Sequence, residues 1–333
     1  MKAQLNKIPA SHYWENFLTS NNTEQLFNSN QIGDIGYDDL FHKFVCIVNI
    51  ETSTFCNKKC TYCPISTFDR RTQVLMDDNI FSNIVFDLKS INYSSTISLN
   101  IFNEPLADKS FYGKITKIRD ACPDAFIKFN SNGDYIKLDV LDKLVSLGVN
   151  AIFVTLHPEP GEGYTDKSRL QHFEKFFSKL EINWKIDKSI PNQQITSDNL
   201  YKGMRLLVES HNWEVKGNDR GGAVPELSTE MRTSPCVRPI REFAISYDGS
   251  VYPCCQFFTD DSTVHKYRIG KLEATDNDNR ISIFDIYGSN LMTQWRKALL
   301  PFSLKSSPCS SCNDPDNSCI SSNKLRYKLI NNL

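Results

Sequence analysis

The sequence predicts an α/β protein: a parallel sheet, open or curled into a partial barrel, followed by a smaller region containing a β-hairpin. Three observations carry that expectation. From about residue 44, short β-rich runs alternate with amphipathic segments of helical length. Strands and helices in that rhythm imply right-handed βαβ units and parallel pairing. The rhythm stops near residue 225, and an Asp-Gly turn then sits between alternating runs in "REFAISYDGSVYPCC", a strong hairpin signal.

The elements follow in order. Residues 1–43 are polar and mixed, a leader without clear periodicity. "FVCIVNIE" is strand-like and runs into a cysteine-rich loop. "DDNIFSNIVFDLKSI" has helical spacing, with Asp77 and Asp78 as its cap. "TISLNIF" is a strand, "SFYGKITKIRDAC" a helix, "AFIKFNSNG" a strand and "KLDVLDKLVSLG" a helix closed by Gly148. "NAIFVTLHP" and "NWKIDKSIP" are strands, each followed by a helical pattern, "SRLQHFEKFFSKL" and "SDNLYKGMRLLVESH". After the boundary near 225, the helical piece is "SNLMTQWRKALL". The division expected is 1–43 leader, 44–225 barrel and 226–333 second domain.

Composition narrows the function classes. The chain has 333 residues, 40% hydrophobic, with a formal net charge of −1. That suffices for a substantial core. The near-zero charge argues against nucleic acid as the main partner, because phosphate binding shows as a basic excess. The first residues carry no signal-peptide core, and no apolar run approaches membrane-spanning length. The expectation is a soluble, cytoplasmic protein with no membrane partner, and a monomer by default.

Eleven cysteines are the unusual feature. In a reducing cytosol, clustered cysteines point to metal or redox chemistry rather than to disulfides. Cys46, in an apolar run, reads as a small core residue, and Cys122 stands alone. In "FCNKKCTYCP", Cys56, Cys60 and Cys63 crowd into one loop after the first strand. A structural zinc site wants four ligands, and a cubane iron–sulfur cluster has four corners. Three thiolates leave one position open to an exogenous ligand, which suits chemistry better than scaffolding.

The spacing Cys-x3-Cys-x2-Cys, with an aromatic before the third cysteine, resembles the signature of the radical S-adenosylmethionine (SAM) superfamily. The resemblance implies a partial (β/α)6 barrel and a [4Fe–4S] cluster on Cys56, Cys60 and Cys63. The amino and carboxylate groups of SAM chelate the open iron, and cleavage of SAM yields a 5′-deoxyadenosyl radical. "LNIFNEPL" resembles the family's Gly-Gly-Glu-Pro motif, with Phe102 and Asn103 in place of the glycines and Glu104 and Pro105 retained. Asn103 and Glu104 are thereby implied near the SAM ammonium, for which a carboxylate is a natural acceptor. "FNSNGDYI" resembles a family strand end that faces ribose and carboxylate, which implicates Ser131 and Asn132. Tyr62 is implied against the adenine.

Towards the end of the chain stand Cys236, Cys254 and Cys255, then Cys309, Cys312 and Cys319. A hairpin pair and a Cys-x2-Cys pair suit either four-thiolate zinc or a second [4Fe–4S] cluster, and ligand count does not choose between them. The pattern resembles the SPASM/twitch extension of radical SAM enzymes. With Asn at 323 and no cysteine after 319, it implies the shortened form, one auxiliary cluster on Cys236, Cys254, Cys309 and Cys312. That pattern is similar to a dehydrogenase of the family acting on an aminocyclitol alcohol. Cys255 and Cys319 stay unassigned.

A cluster with four cysteine ligands has no corner for substrate, which leaves electron transfer as its role. The expectation is hydrogen abstraction from a small polar substrate, a sugar- or aminocyclitol-like alcohol, and its net oxidation. A flavodoxin or ferredoxin would supply reducing electrons. The hydroxyl proton needs an acceptor. Candidates at later strand ends are His157 and Glu159 in "TLHPEPGEG", Asp187 in "KIDKS", and Arg220 in the glycine-rich "NDRGG". Two rivals stand beside this reading. One is a peptide-modifying SPASM enzyme, disfavoured as a fused leader-binder because such a module needs about eighty residues and only some forty precede the barrel. The other is a non-catalytic zinc protein, which leaves the cysteine triplet unexplained.

Overall fold

A computed structural model describes residues 23–28, 35–159, 161–227, 231–275 and 280–313. Much of the leader, together with Cys319 and Asn323, lies outside the described residues. Ten strands form a single sheet among those described, in the order β10-β9-β8-β1-β2-β3-β4-β7-β6-β5. Its centre is built from β1 (Ile47–Ile50), β2 (Thr96–Ser98), β3 (Phe126–Ser131) and β4 (Ala151–Thr155). These pair in parallel, in sequence order.

The expected helices separate them: α2 (Asp78–Ser90), α3 (Phe111–Ala121), α4 (Leu138–Ser146) and α5 (Asp166–Leu180). Asp77 caps α2 by accepting from the N–H groups of Asn79 and Ile80. One helix falls within the leader, α1 (Tyr37–Phe44), whose eight residues are too few to show a period. Its Phe41 ring meets Phe243, Phe284 and Tyr287 edge-on at 5.2–5.4 Å, which ties the start of the chain to its end.

The segment 197–211, expected as a helix, is instead two strands. β6 (Gln194–Tyr201) and β7 (Met204–His211) pair antiparallel from Tyr201↔Met204 to Gln194↔His211. The turn is Lys202-Gly203, with φ of +47° and +91°; the left-handed conformation at Gly203 carries no Cβ penalty. Met204, Leu206 and Val208 are buried while the residues between them are not, a period of two that overrides the helical spacing. β5 (Lys188–Ile190) is shorter than expected and adds at the antiparallel edge.

β7 runs parallel to β4. At the other end, the Asp248-Gly249 hairpin forms as expected between β8 (Glu242–Ile245) and β9 (Ser250–Tyr252). β8 then pairs in parallel with β1, and β10 (Gly270–Lys271) closes the edge. The parallel core thus has six strands, but the sixth adds beside β1 instead of following β7. Val48 lies between Ile97 and Phe243 in register, all three with no exposed surface, so one core spans residue 225. The last helix among the described residues, α6, spans Asn290–Leu299, as expected.

Candidate active site

Parallel strands present their carboxyl ends on one side of a sheet, and there the chain opens a cavity of about 260 Å³. Cys56, Cys60 and Cys63 come to it from the loop after β1, Asn103 and Glu104 from the loop after β2, and Ser131 and Asn132 from the end of β3. Thr155 ends β4, His157 follows it, and Glu209 sits near the end of β7.

The cysteine loop is held by backbone. The Glu104 N–H donates to Phe55 O at 2.8 Å, and the Cys63 N–H to Cys60 O at 2.9 Å. Burial pushes the Cys56 thiol up to about 12 and the Cys60 thiol up to about 11; Cys63 also rises through burial. Each thiol is within electrostatic reach of another. A metal centre here would displace thiol protons on binding. Among the described residues, no three His, Cys, Asp or Glu side chains are gathered tightly enough for a single metal ion. Thiolates on one zinc, with Zn–S of about 2.3 Å, lie roughly 4 Å apart. A cubane takes one thiolate per iron and spreads its ligands more widely.

Glu104 is 2% exposed. Its Oε1 accepts from the Ser131 hydroxyl at 3.0 Å and the Leu106 N–H at 3.2 Å, its Oε2 from the Asn132 N–H at 2.7 Å. Burial outweighs these bonds and lifts the carboxyl to about 7. Asn132 also donates to Asn57 Oδ1 at 2.7 Å, which ties the end of β3 to the cysteine loop. Asn103 donates to Ser53 Oγ at 3.3 Å. Of the residues implied for SAM, Glu104, Ser131 and Asn132 are thus bonded together, with Asn103 beside them in the same cavity.

Tyr62, implied for the adenine, lines the same cavity. Its ring stacks on Trp213 at 4.6 Å and on His157 at 5.8 Å, and its hydroxyl lies 2.6 Å from His157 Nδ1. Burial, reinforced by Lys58, depresses His157 to about 4, so its imidazole is neutral near pH 7. Arg220 also reaches the cavity, from three successive residues with positive φ, Arg220, Gly221 and Gly222. At Gly221, with φ of +66°, the left-handed backbone favours glycine, while a Cβ there would make only an ordinary contact with the Gln256 carbonyl at 3.4 Å. Arg220 Nη1 donates to Gln256 Oε1 at 2.7 Å, while its Nε is buried without a partner among the described residues.

Two candidates lie elsewhere. Glu159 lines a neighbouring cavity of about 280 Å³ with His172, Lys175 and Lys179. Asp187 is exposed at the antiparallel edge, where it accepts from the Asp198 N–H at 2.7 Å. The strand expected to carry Asp187 into the site is the outermost of the sheet, which removes it from the cavity. Glu209 and Trp213 are among the cavity residues that escaped the sequence reading. Glu209 was hidden by the helical reading of 197–211, and Trp213 has no motif.

The rear cysteines form a second site. Cys236, Cys254, Cys309 and Cys312 line one void of about 20 Å³, together with Arg232, Arg238 and Gln256. Cys254 follows β9, and the Cys309-x2-Cys312 turn closes with an N–H to carbonyl bond of 3.4 Å. Cys255 is off the void, its Sγ accepting from Arg238 Nη1 at 3.5 Å. Four thiols line this one void, the number that a closed cluster takes. Cys122 is buried in the main core, and Cys46 packs against it.

Residues 50–180 match the radical SAM superfamily, and residues 236–313 match SPASM, an iron–sulfur cluster-binding domain. The chain is 23% identical over 274 residues to the S-adenosyl-L-methionine-dependent 2-deoxy-scyllo-inosamine dehydrogenase of Niallia circulans, covering 82% of this chain and 94% of that one. Its fold resembles the crystal structure of BtrN in complex with AdoMet and 2-DOIA, at a TM-score of 0.60 and 21% identity over the same shares of the two chains. A second BtrN structure, in an open conformation, matches over the same shares at 0.53 and 20%. Among the described residues no helix is long and apolar enough to cross a membrane. The chain belongs to the radical SAM superfamily: it is an enzyme that uses S-adenosylmethionine and iron–sulfur clusters, one of them auxiliary and carried by a SPASM-type domain.

Proposed function

We propose that the enzyme dehydrogenates an alcohol of a small aminocyclitol- or amino-sugar-like substrate. In this reading Cys56, Cys60 and Cys63 hold the SAM-binding cluster, and Cys236, Cys254, Cys309 and Cys312 the auxiliary one. With SAM, the first supplies a 5′-deoxyadenosyl radical that takes a hydrogen atom, and the second takes up one electron. The substrate carbon loses the hydrogen atom, its hydroxyl loses a proton, and the departing electron leaves a carbonyl.

One observation carries this reading. Arg220 lines the larger cavity and Gln256 the rear void, and a 2.7 Å hydrogen bond joins them, which supports electron transfer between the two. The remaining roles fall to cavity side chains. Glu104, with Ser131 and Asn132, receives the SAM ammonium. Tyr62, Trp213 and His157 offer a flat wall for adenine or sugar. Glu209, paired with His211 at 3.1 Å, is an anion suited to a substrate ammonium. The Arg220 guanidinium, whose Nε has no partner among the described residues, fits a substrate oxygen. Neutral His157 is the proton acceptor with the best-matched state near pH 7. The division at 225 is one of role, with residues 226–333 serving the auxiliary site. A flavodoxin or ferredoxin supplies the electron that starts each SAM cleavage.

The test is anaerobic turnover of reconstituted enzyme with SAM, reductant and a panel of aminocyclitols, amino sugars and polyols. Expected are 5′-deoxyadenosine, methionine and a product two hydrogens lighter, formed one for one. Should no amino alcohol in the panel raise 5′-deoxyadenosine above the substrate-free rate, while a ribosomal peptide does, the dehydrogenase reading fails.

A further inference from the structure

Beside the rear void lie two buried cations without a carboxylate partner. Arg232 is 5% exposed and Lys305 is 3% exposed. Arg232 donates from Nε to Ser234 O at 3.1 Å and from Nη2 to Pro235 O at 2.9 Å. Its Nη1 points at Cys312, 3.4 Å from Sγ and 3.5 Å from the carbonyl oxygen. Lys305 Nζ donates to the Pro301 carbonyl, and its backbone N–H holds the Arg232 carbonyl at 3.1 Å. Cys236 and Cys309 lie within electrostatic range of the Lys305 ammonium. Among the described residues neither cation has an acid within ion-pair distance.

The other charges at this site are arranged differently. Arg238, also on the void, is paired with Glu242 at 2.6 Å. Asp219 is a buried acid within range of Cys309, and it accepts from the Ser311 hydroxyl at 2.6 Å. Asn218 Nδ2 is a second donor to Cys312 Sγ, at 3.5 Å. Backbone carbonyls solvate Arg232 and Lys305 but do not neutralise them.

Burying an unpaired charge is unfavourable, and a fold retains two such charges side by side only where a negative group answers them. Four neutral thiols do not. A tetrathiolate iron–sulfur cluster does, because it is net negative and becomes more so on reduction. Nearby positive charge and hydrogen bonds to the sulfurs favour the reduced state and raise the potential. We propose that Arg232 and Lys305 are the charge-compensating groups of the auxiliary site, and that together they raise its reduction potential so that it accepts the substrate's electron. This rests on the assignment of Cys236, Cys254, Cys309 and Cys312 as its ligands. Both cations act through the cluster and are positioning residues.

The experiment uses full-length protein reconstituted anaerobically in a Cys56/Cys60/Cys63→Ala background, which isolates the rear site. Iron and sulfide are counted first; the midpoint potential is then read by an electron paramagnetic resonance titration. Arg232→Gln and Lys305→Met are each expected to keep the iron of the background. Each should lower the reduced-to-oxidised ratio at a fixed potential by about tenfold, equivalent to about 59 mV for a one-electron couple. Arg232→Lys, which restores the charge, should recover most of that shift. Unchanged midpoints in both charge-removing variants would overturn the proposal, as would Arg232→Lys falling as far as Arg232→Gln. If Arg232→Gln holds no cluster, Lys305→Met carries the test, since its ammonium makes no hydrogen bond to a thiol among the described contacts. A background protein without iron removes the ligand assignment itself, and that failure shows in the iron count before any potential is read.

Discussion

Arg70 joins the end of the cysteine loop to Glu51 at the end of β1, with 2.6 Å between Nη1 and Oε1 and both side chains 1% exposed. The same guanidinium donates from Nε to Asp260 Oδ2 at 2.6 Å and lies over the Phe258 ring at 4.1 Å. Loop, sheet and rear region therefore meet at one buried cation. Removing one partner strands the other charge in the interior. Arg70→Met is expected to cost about 3–5 kcal/mol of unfolding free energy, and Glu51→Leu with Arg70→Met together much less. Denaturant titration of the two variants decides it. A loss under about 1 kcal/mol for Arg70→Met would mean that the ion pair does not hold these parts together.

Glu104 supplies a pH signature. Burial holds its carboxyl at about 7, so near that pH roughly half of the molecules present the carboxylate that an ammonium needs. A carboxyl raised above its unfolded value disfavours the folded apo-protein progressively as pH rises from 4.5 to 7, a strain that a bound ammonium relieves. SAM affinity should therefore rise about fivefold between pH 6 and pH 7, following the ionised fraction. Glu104→Gln should bind more weakly and show no such slope. Equilibrium dialysis on reconstituted protein reads both, and a wild-type affinity flat across that interval would remove the ammonium from Glu104.

Where the sequence was legible, the signals were local. Three cysteines after an apolar run, a Glu-Pro after the next strand and an Asn-Gly after the third could be placed because each follows a strand and precedes a helix. The strand ends bring them to one cavity whatever the loops do between. The misread segment, 197–211, failed on a competition of periods. Leu200, Met204, Leu207 and Val208 fit a helix face, while Met204, Leu206 and Val208 fit a strand, and the Lys-Gly turn decides for the strand. Reading it as a strand would have placed Glu209 beside the cavity. Arg232 and Lys305 were not legible at all, because what sets them apart is burial beside thiols far along the chain.

His157 makes the opposite pH prediction. Its ring is held neutral, with burial depressing it from 6.5 to about 4. Below pH 6.5 the unfolded chain takes up a proton that the folded chain refuses, so stability falls as pH drops, down to the folded value. Between pH 7 and pH 5 this one group should remove about 2 kcal/mol. Denaturation midpoints at the two pH values, compared with those of His157→Gln, isolate its share. Equal slopes in both proteins would mean that the histidine is protonated in the fold.

Arg220 and Gln256 carry the last prediction. If the guanidinium orients a substrate oxygen, its fork geometry matters as well as its charge, and lysine is a poor replacement. Arg220→Lys should lower kcat/KM for the alcohol about a hundredfold, the range expected when charge-assisted hydrogen bonds are lost. Gln256→Leu removes the acceptor that aims Arg220, and about a tenfold loss is expected. Both should keep the full iron content, since neither residue supplies a thiolate. Product balance separates the roles. A side chain needed for the oxidation, and not for SAM cleavage, leaves 5′-deoxyadenosine forming faster than the carbonyl product when it is changed. If the two products stay one for one in Arg220→Lys, Arg220 serves only to bind, and the second half of the reaction belongs to other groups in the cavity.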